Sequence, residues 1–194
     1  MKSGYKEFQK RIFDIFLLIL IFPILMVPIV MISLFLLLFS ENSILYWSDR
    51  VGKNNIIFKM PKFRTMKSDA PILATHLFEN PEIYLTSTGR FLRKTSLDEL
   101  PQLINIFKGE MSFVGPRPAL FNQQDLISLR SMYKIHQLLP GLTGWAQVNG
   151  RDELSISDKV LFDLEYLKKR SLFFDIKILI LTLIRVTQNK DVSH

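Results

Sequence analysis

The sequence predicts a mostly helical α+β protein attached to a membrane by one N-terminal segment. Three observations lead there. Residues 15 to 40 form a run of 26 positions without a charge, 22 of them apolar. All 25 basic and 18 acidic residues lie outside that run and leave a net charge of +7. The remaining chain mixes short strand-like and longer helix-like stretches at the apolar content of a water-facing fold. Together these exclude a wholly soluble protein, a multi-span transporter and a disordered chain. The absence of cysteine excludes disulfides, thiolate zinc sites and cysteine nucleophiles, and fits a reducing compartment. The natural division is an anchor at 1–40 and a second domain at 41–194.

The apolar run would extend about 39 Å as a straight helix, enough to cross a hydrocarbon core of about 30 Å. Residue chemistry leaves two geometries open. One is a single transmembrane span. The other is a helix that bends at Pro23 and Pro28 and returns, because each proline removes a backbone donor and favours a kink. Basic residues flank both ends: Lys2, Lys6, Lys10 and Arg11 before it, Arg50, Lys53, Lys59, Lys62 and Arg64 after it. A returning helix keeps both groups on one face, in line with the positive-inside tendency.

After residue 43, ILYWSDRVG and NIIFKMPKFRTM flank a Gly/Asn turn at 52–55 and predict a β-hairpin, with Pro61 marking an edge strand or bulge. Residues 67 to 88 read as a loop with short helices. A helix then precedes a glycine stop at Gly109, and residues 119 to 139 read as partly exposed helix. PGLTGWAQVNGR (140–151) reads as a glycine-rich loop. Residues 152 to 170 predict an amphipathic helix with Val160, Leu161, Leu164 and Leu167 on its inner side. The last helix, 172–188, carries an apolar stretch too short to span, so it is either an interfacial helix or an ordinary core helix.

The chemistry concentrates in a few places. Ser96-Leu97-Asp98-Glu99 has the spacing of a capping box, with Ser96 and Glu99 satisfying each other's backbone donors. The same pattern allows an ionised Asp98 to act as a nucleophile and Asp98 with Glu99 to hold Mg²⁺. Arg93 lies just upstream. Arg117 stands between Pro116 and Pro118, where the backbone has few alternatives, and suits bidentate phosphate contact or a structural ion pair. Gly141, Gly144 and Gly150, followed by Arg151, could cradle a phosphate or nucleotide. His76, His136 and His194 share no ligand spacing. The basic residues are dispersed and no nucleic-acid motif is present, so the charge is matched to anionic lipid headgroups and phosphorylated substrates rather than nucleic acid.

Three stretches, FKMPKFRTM (58–66), RKTSLDELPQLINIFKGEMSFVGPRP (93–118) and PGLTGWAQVNGR (140–151), carry a resemblance to a known family. The chain resembles the bacterial sugar transferases, the monotopic phosphoglycosyl transferases that act on a polyprenyl phosphate, in their minimal catalytic form. The resemblance implies transfer of a phosphosugar from a UDP-sugar to undecaprenyl phosphate with release of UMP, the first membrane step of glycoconjugate synthesis. It implies Asp98 as the nucleophile of a covalent aspartyl phosphosugar intermediate in a ping-pong reaction. Glu99 would assist it in holding Mg²⁺. Arg93, Arg117, Arg151, Lys62 and Arg64 would bind phosphate and nucleotide. It further implies a re-entrant helix kinked at Pro23, although Phe22 stands where members often carry serine. The catalytic domain would lie on the cytoplasmic face of the bacterial inner membrane. The alternatives are a single-span anchor with the same chemistry, and a non-catalytic membrane-bound scaffold of a glycan assembly pathway. No oligomeric state is assigned.

Overall fold

A computed structural model describes residues 7–39, 43–67, 70, 81–150 and 153–187. The apolar run forms most of helix α1, Glu7–Phe39, which continues through Pro23 and Pro28. Its apolar sequence has a mean hydropathy of 3.2 over its central window, yet only 6% of that window is covered by the rest of the protein. So large an uncovered apolar surface is stable only in lipid or against a partner, and α1 associates the protein with a membrane.

One stripe of α1 does face the protein. Lys10, Asp14 and Leu18 are buried near its start and Leu36 near its end. Leu18 joins the main core with Met111, Phe113 and Ile178, and Leu17, Ile21, Leu25 and Ile29 flank it. Leu36 packs with Phe63 and Leu92, with Ile29 and Ile32 alongside. Arg11 donates to the carbonyls of Ile106 and Phe107.

The hairpin forms as its alternating sequence predicts. Strands β1, Leu45–Val51, and β2, Ile57–Phe63, pair antiparallel with Tyr46 opposite Lys62. Asn54 and Asn55 take the left-handed conformation in the connection, which asparagine tolerates better than most residues. β2 is an edge strand, which accommodates Pro61 without losing a ladder donor. The other neighbour of β1 is β4, Ala119–Leu120.

Helix α2, Ser87–Lys94, starts at a Thr86 side-chain cap. A 3-10 segment, Leu97–Gln102, leads into α3, Leu103–Lys108, which stops at a left-handed Gly109. Residues beyond it form β3, Ser112–Val114, and after β4 the helix α4, Gln124–Met132. The stretch expected to be a glycine-rich loop instead folds as β5, Gly141–Thr143, and the short helix α5, Trp145–Val148. β5 pairs parallel with β3. The reason is close approach: a Cβ on Gly141 would lie 2.1 Å from the Gly115 nitrogen, and one on Gly144 2.1 Å from its oxygen. These glycines bring two backbones together rather than line an open cradle.

Helices α6, Ile156–Lys169, and α7, Leu172–Thr187, close the domain. The inner side of α6 differs from expectation. Val160 is buried, but Leu161 is 59% exposed, and Asp163 and Tyr166 face inward instead. Both have partners there, Arg130 for Asp163 and Asp175 for Tyr166. On α7, Ile178 is in the main core while Phe173 and Leu183 face outward, so the helix has one covered and one open apolar side.

Candidate active site

Ser96 does not cap the segment it precedes. Its backbone is left-handed (φ 56°, ψ 15°) and its side chain makes no capping hydrogen bond. A cap residue needs an extended backbone to aim its oxygen at the first free N–H groups, so the expected capping box cannot form. Ser96 instead turns the chain sharply out of α2, its N–H bonding to the Arg93 carbonyl. The turn delivers Asp98 and Glu99 into the protein, 5% and 8% exposed. Pro101 has no N–H to give, which interrupts the ladder before α3 and keeps this stretch short.

β2 supplies the first cation. The Lys62 Nζ lies 2.7 Å from Glu99 Oε1 and 3.8 Å from Asp98 Oδ2. The buried Asn105 side chain fixes this register, donating to the Lys59 carbonyl of β2 and to Glu110. The second cation is Arg117, whose Nη2 donates to the same Glu99 Oε1 at 2.6 Å. Glu99 is therefore gripped from two sides, while Lys62 stands farther from Asp98, at 3.8 Å. Its side chain at 30% exposure, Arg117 also reaches the surface.

The electrostatics follow from burial. Loss of solvent raises the Asp98 carboxyl above its ordinary range, and the charge of Glu99 adds to this, against the pull of Lys62, Arg93 and Arg117. Burial likewise lowers the Lys62 ammonium, against the attraction of Glu99 and Asp98. A carboxylate made more basic, beside cations that still favour its charged form, is a stronger nucleophile than an exposed aspartate.

Of the residues expected at the site, Asp98, Glu99, Lys62 and Arg117 come together. Arg93 sits on α2, donates to Thr65 Oγ1 at 3.0 Å and acts electrostatically on Asp98. Gly89 makes that possible, since a Cβ there would lie 2.0 Å from the Thr65 oxygen. Arg64 lies over the Tyr46 ring at 5.8 Å. Arg151, His76 and His194 lie outside the described residues. Sequence reasoning missed Arg130 and Asp163, which form a buried ion pair behind Arg117. Neither falls in the three motif stretches, and only the mismatch of Asp163 with an apolar helix face hinted at it.

The donor set suits Mg²⁺ in one form only. Among the described residues no cluster of three histidine or acidic side chains exists. Asp98 and Glu99 could supply two oxygens, with the rest of the shell coming from substrate phosphates and water, a habit of this ion.

Comparison with known proteins identifies the family of the chain. The family model described as bacterial sugar transferase matches residues 5–189. The UDP-glucose:undecaprenyl-phosphate glucose-1-phosphate transferase of Escherichia coli is 39% identical over 97% of this chain and 42% of its own length. An uncharacterized sugar transferase of Bacillus subtilis, EpsL, is 37% identical over 95% of this chain and 90% of its own. The undecaprenyl-phosphate galactose phosphotransferase of Salmonella typhimurium is 35% identical over 91% of this chain and 40% of its own. The chain thus spans about two fifths of two of these relatives and most of the third. With a family model matched along nearly its whole length, the chain belongs to the bacterial sugar transferase family.

Proposed function

We propose that the protein transfers a phosphosugar from a UDP-sugar to undecaprenyl phosphate and releases UMP. The observation that carries this reading is the buried Asp98–Glu99 pair held by Lys62 and Arg117. Two relatives carry names for such transfers with glucose and galactose, so the shared chemistry is phosphosugar transfer to the lipid rather than choice of one sugar.

The reaction divides into two displacements at one phosphorus. An Asp98 oxygen attacks the β-phosphorus of the donor, the bond to the bridging oxygen breaks, and UMP leaves with the electron pair. An oxygen of the lipid phosphate then attacks the same phosphorus and expels the Asp98 carboxylate. Glu99 holds Lys62 and Arg117 in place, and these with Arg93 draw in the diphosphate. Their three positive charges exceed the two carboxylates by one, and the donor's diphosphate adds two negative charges. Asp98 and Glu99 would hold Mg²⁺, which would supply the missing charge and polarise the phosphoryl oxygens. Because phosphoryl transfer rests on positioning and charge neutralisation, this residue set suits it. A scaffold has no need of two buried carboxylates, which in an apolar setting oppose folding.

The two-step route separates a water-soluble donor from a lipid acceptor, and it requires the carboxylate to sit at the membrane face. α1 supports this placement. Its contacts with the folded body run from Lys10 to Leu36, whereas a straight span would carry those ends about 39 Å apart, 26 residues at 1.5 Å each. We therefore read α1 as a re-entrant, monotopic anchor with the site on the cytoplasmic face. Cysteines placed at Glu7 and Ser43 should label from one side of the membrane. Labelling from opposite sides would establish a span.

The chemistry is tested by incubating the membrane-bound protein with undecaprenyl phosphate and a panel of UDP-sugars, scoring UMP. With donor alone, intact mass should increase by one phosphosugar. Turnover with no mass increase would refute the covalent route, and no UMP from any donor would refute the activity.

A further inference from the structure

Arg117 is carried on the segment Pro116-Arg117-Pro118. Each of its carbonyls is held by a different element. Pro116 accepts from the Gly141 N–H at 2.9 Å, Arg117 from Arg130 Nη1 at 2.7 Å, and Pro118 from Arg50 Nη1 at 3.3 Å. The middle contact differs in one respect. The Arg117–Pro118 peptide has no N–H, so its carbonyl is its sole polar handle, and a guanidinium holds it at short range. That donor is itself oriented. Arg130 Nε and Nη2 both donate to Asp163 Oδ2, at 2.9 and 2.6 Å, and the Asp163 side chain is 1% exposed.

The arrangement joins α4 and α6 to the site through one guanidinium. Its forked edge faces the carboxylate and its remaining nitrogen faces the peptide. Nothing in that geometry touches Asp98, Glu99 or the space beside them. A pair placed only to stabilise α4 against α6 would not need the third nitrogen on Arg117.

We propose that Arg130 and Asp163 are positioning residues: Asp163 orients the Arg130 guanidinium, which fixes the Arg117 carbonyl and so holds the Arg117 side chain on Glu99. The kinetic consequence rests on the reaction proposed above. The geometric consequence does not.

Arg130→Lys keeps the charge but loses the planar fork, and Asp163→Asn keeps the shape but loses the charge. Arg130→Lys should lower kcat/KM about tenfold in the wild-type background and less than about twofold in the Arg117→Ala background, since coupled residues are non-additive. Asp163→Asn should follow the same pattern with a smaller loss. Equal losses in both backgrounds would overturn the proposal, because a purely structural pair acts regardless of Arg117. A second readout needs no turnover. In protein with ¹⁵N-labelled arginine, the Arg117 Nε–Hε resonance, assigned by its disappearance in Arg117→Lys, should shift or broaden in both variants. An unmoved resonance in folded Arg130→Lys and Asp163→Asn would equally overturn the proposal. Absence of UMP from wild-type protein would count against the reaction alone, leaving the resonance to decide the positioning.

Discussion

Among the described residues, two of the clusters of buried charge are built to opposite ends. In the first, beneath α1, Lys10 Nζ lies 2.7 Å from Asp175 Oδ2, and the Tyr166 hydroxyl donates to Asp175 Oδ1 at 2.8 Å. Asp14 Oδ1 accepts from the Ser112 hydroxyl and the Phe113 N–H. Each Asp175 oxygen thus has a close donor, and the cluster ties α1 to α7 and β3. In the second cluster the short contacts converge on Glu99, and Asp98 is left with Lys62 at 3.8 Å. The same residue types produce a clamp in which both Asp175 oxygens have close donors, although Asp14 keeps one buried oxygen without a hydrogen-bond partner, and a site in which Asp98 stands off from Lys62. Burial alone does not distinguish them. For Asp175 and Asp98 the cation contact does, at 2.7 Å to Lys10 against 3.8 Å to Lys62.

Substituting the two aspartates should separate these roles. Asp98→Asn should lower turnover by about 10⁴-fold or more, the scale seen when a nucleophile is removed. Its melting temperature should stay at or above that of the wild type, because burial raises the Asp98 carboxyl and its ionised form opposes folding. Asp175→Asn should do the reverse. It removes the 2.7 Å partner of Lys10, 10% exposed at its side chain, and breaking such a pair costs about 3–5 kcal/mol. The fraction that remains folded should turn over within a few-fold of wild type. Measuring turnover and denaturant midpoint on both variants checks the contrast, and a stable, inactive Asp175→Asn would break it.

Glu99→Gln gives an intermediate effect. It keeps the shape that Lys62 and Arg117 approach but removes the charge they share. A loss of about 10²-fold in kcat/KM is expected, the size of one electrostatic contact to a developing charge. Gly89→Ala perturbs the same site from below: its new Cβ must displace the Thr65 backbone, and with it the hydroxyl that holds Arg93. Lower stability with a smaller change in turnover is the expected result, measured by melting temperature and kcat/KM together.

Much of this was legible in the chain, and the gaps have physical causes. The hairpin was legible because alternation and an Asn-rich turn are local signals. The membrane helix was legible because 26 uncharged residues leave few alternatives. Asp98, Glu99, Lys62 and Arg117 were marked through family motifs, but the motifs did not say that Lys62 and Arg117 would meet on Glu99. The capping box failed because a left-handed Ser96 outranks a local pattern. The 140–151 loop failed because β3 and β5 pair across 29 positions, Ser112 with Gly141, which no window of neighbours contains. On α6, apolar spacing selected Leu161, while Asp163 and Tyr166 turned inward because Arg130 and Asp175 were there to receive them. Buried polar pairs are settled by partners distant in sequence, and periodicity is blind to them.

The smallest effect, and the one that sharpens the comparison most, is in pH. Burial raises Asp98 and lowers Lys62. For Asp98 the folded value exceeds the unfolded one, so its neutral form favours folding at low pH and its ionisation opposes folding as pH rises through the folded value. For Lys62 the folded value is the lower, so its charged form opposes folding and the penalty fades as pH rises through that value. Turnover needs both groups charged. The kcat/KM profile should therefore rise above the ordinary aspartate value of 3.8 and fall below the ordinary lysine value of 10.5, a window narrower than free side chains would give. Lys62→Arg replaces the titrating ammonium with a group that stays protonated. Its profile should keep the acid limb and lose the alkaline one. An alkaline limb that survives unchanged would assign it to another group and place Lys62 with the structural charges rather than the chemical ones.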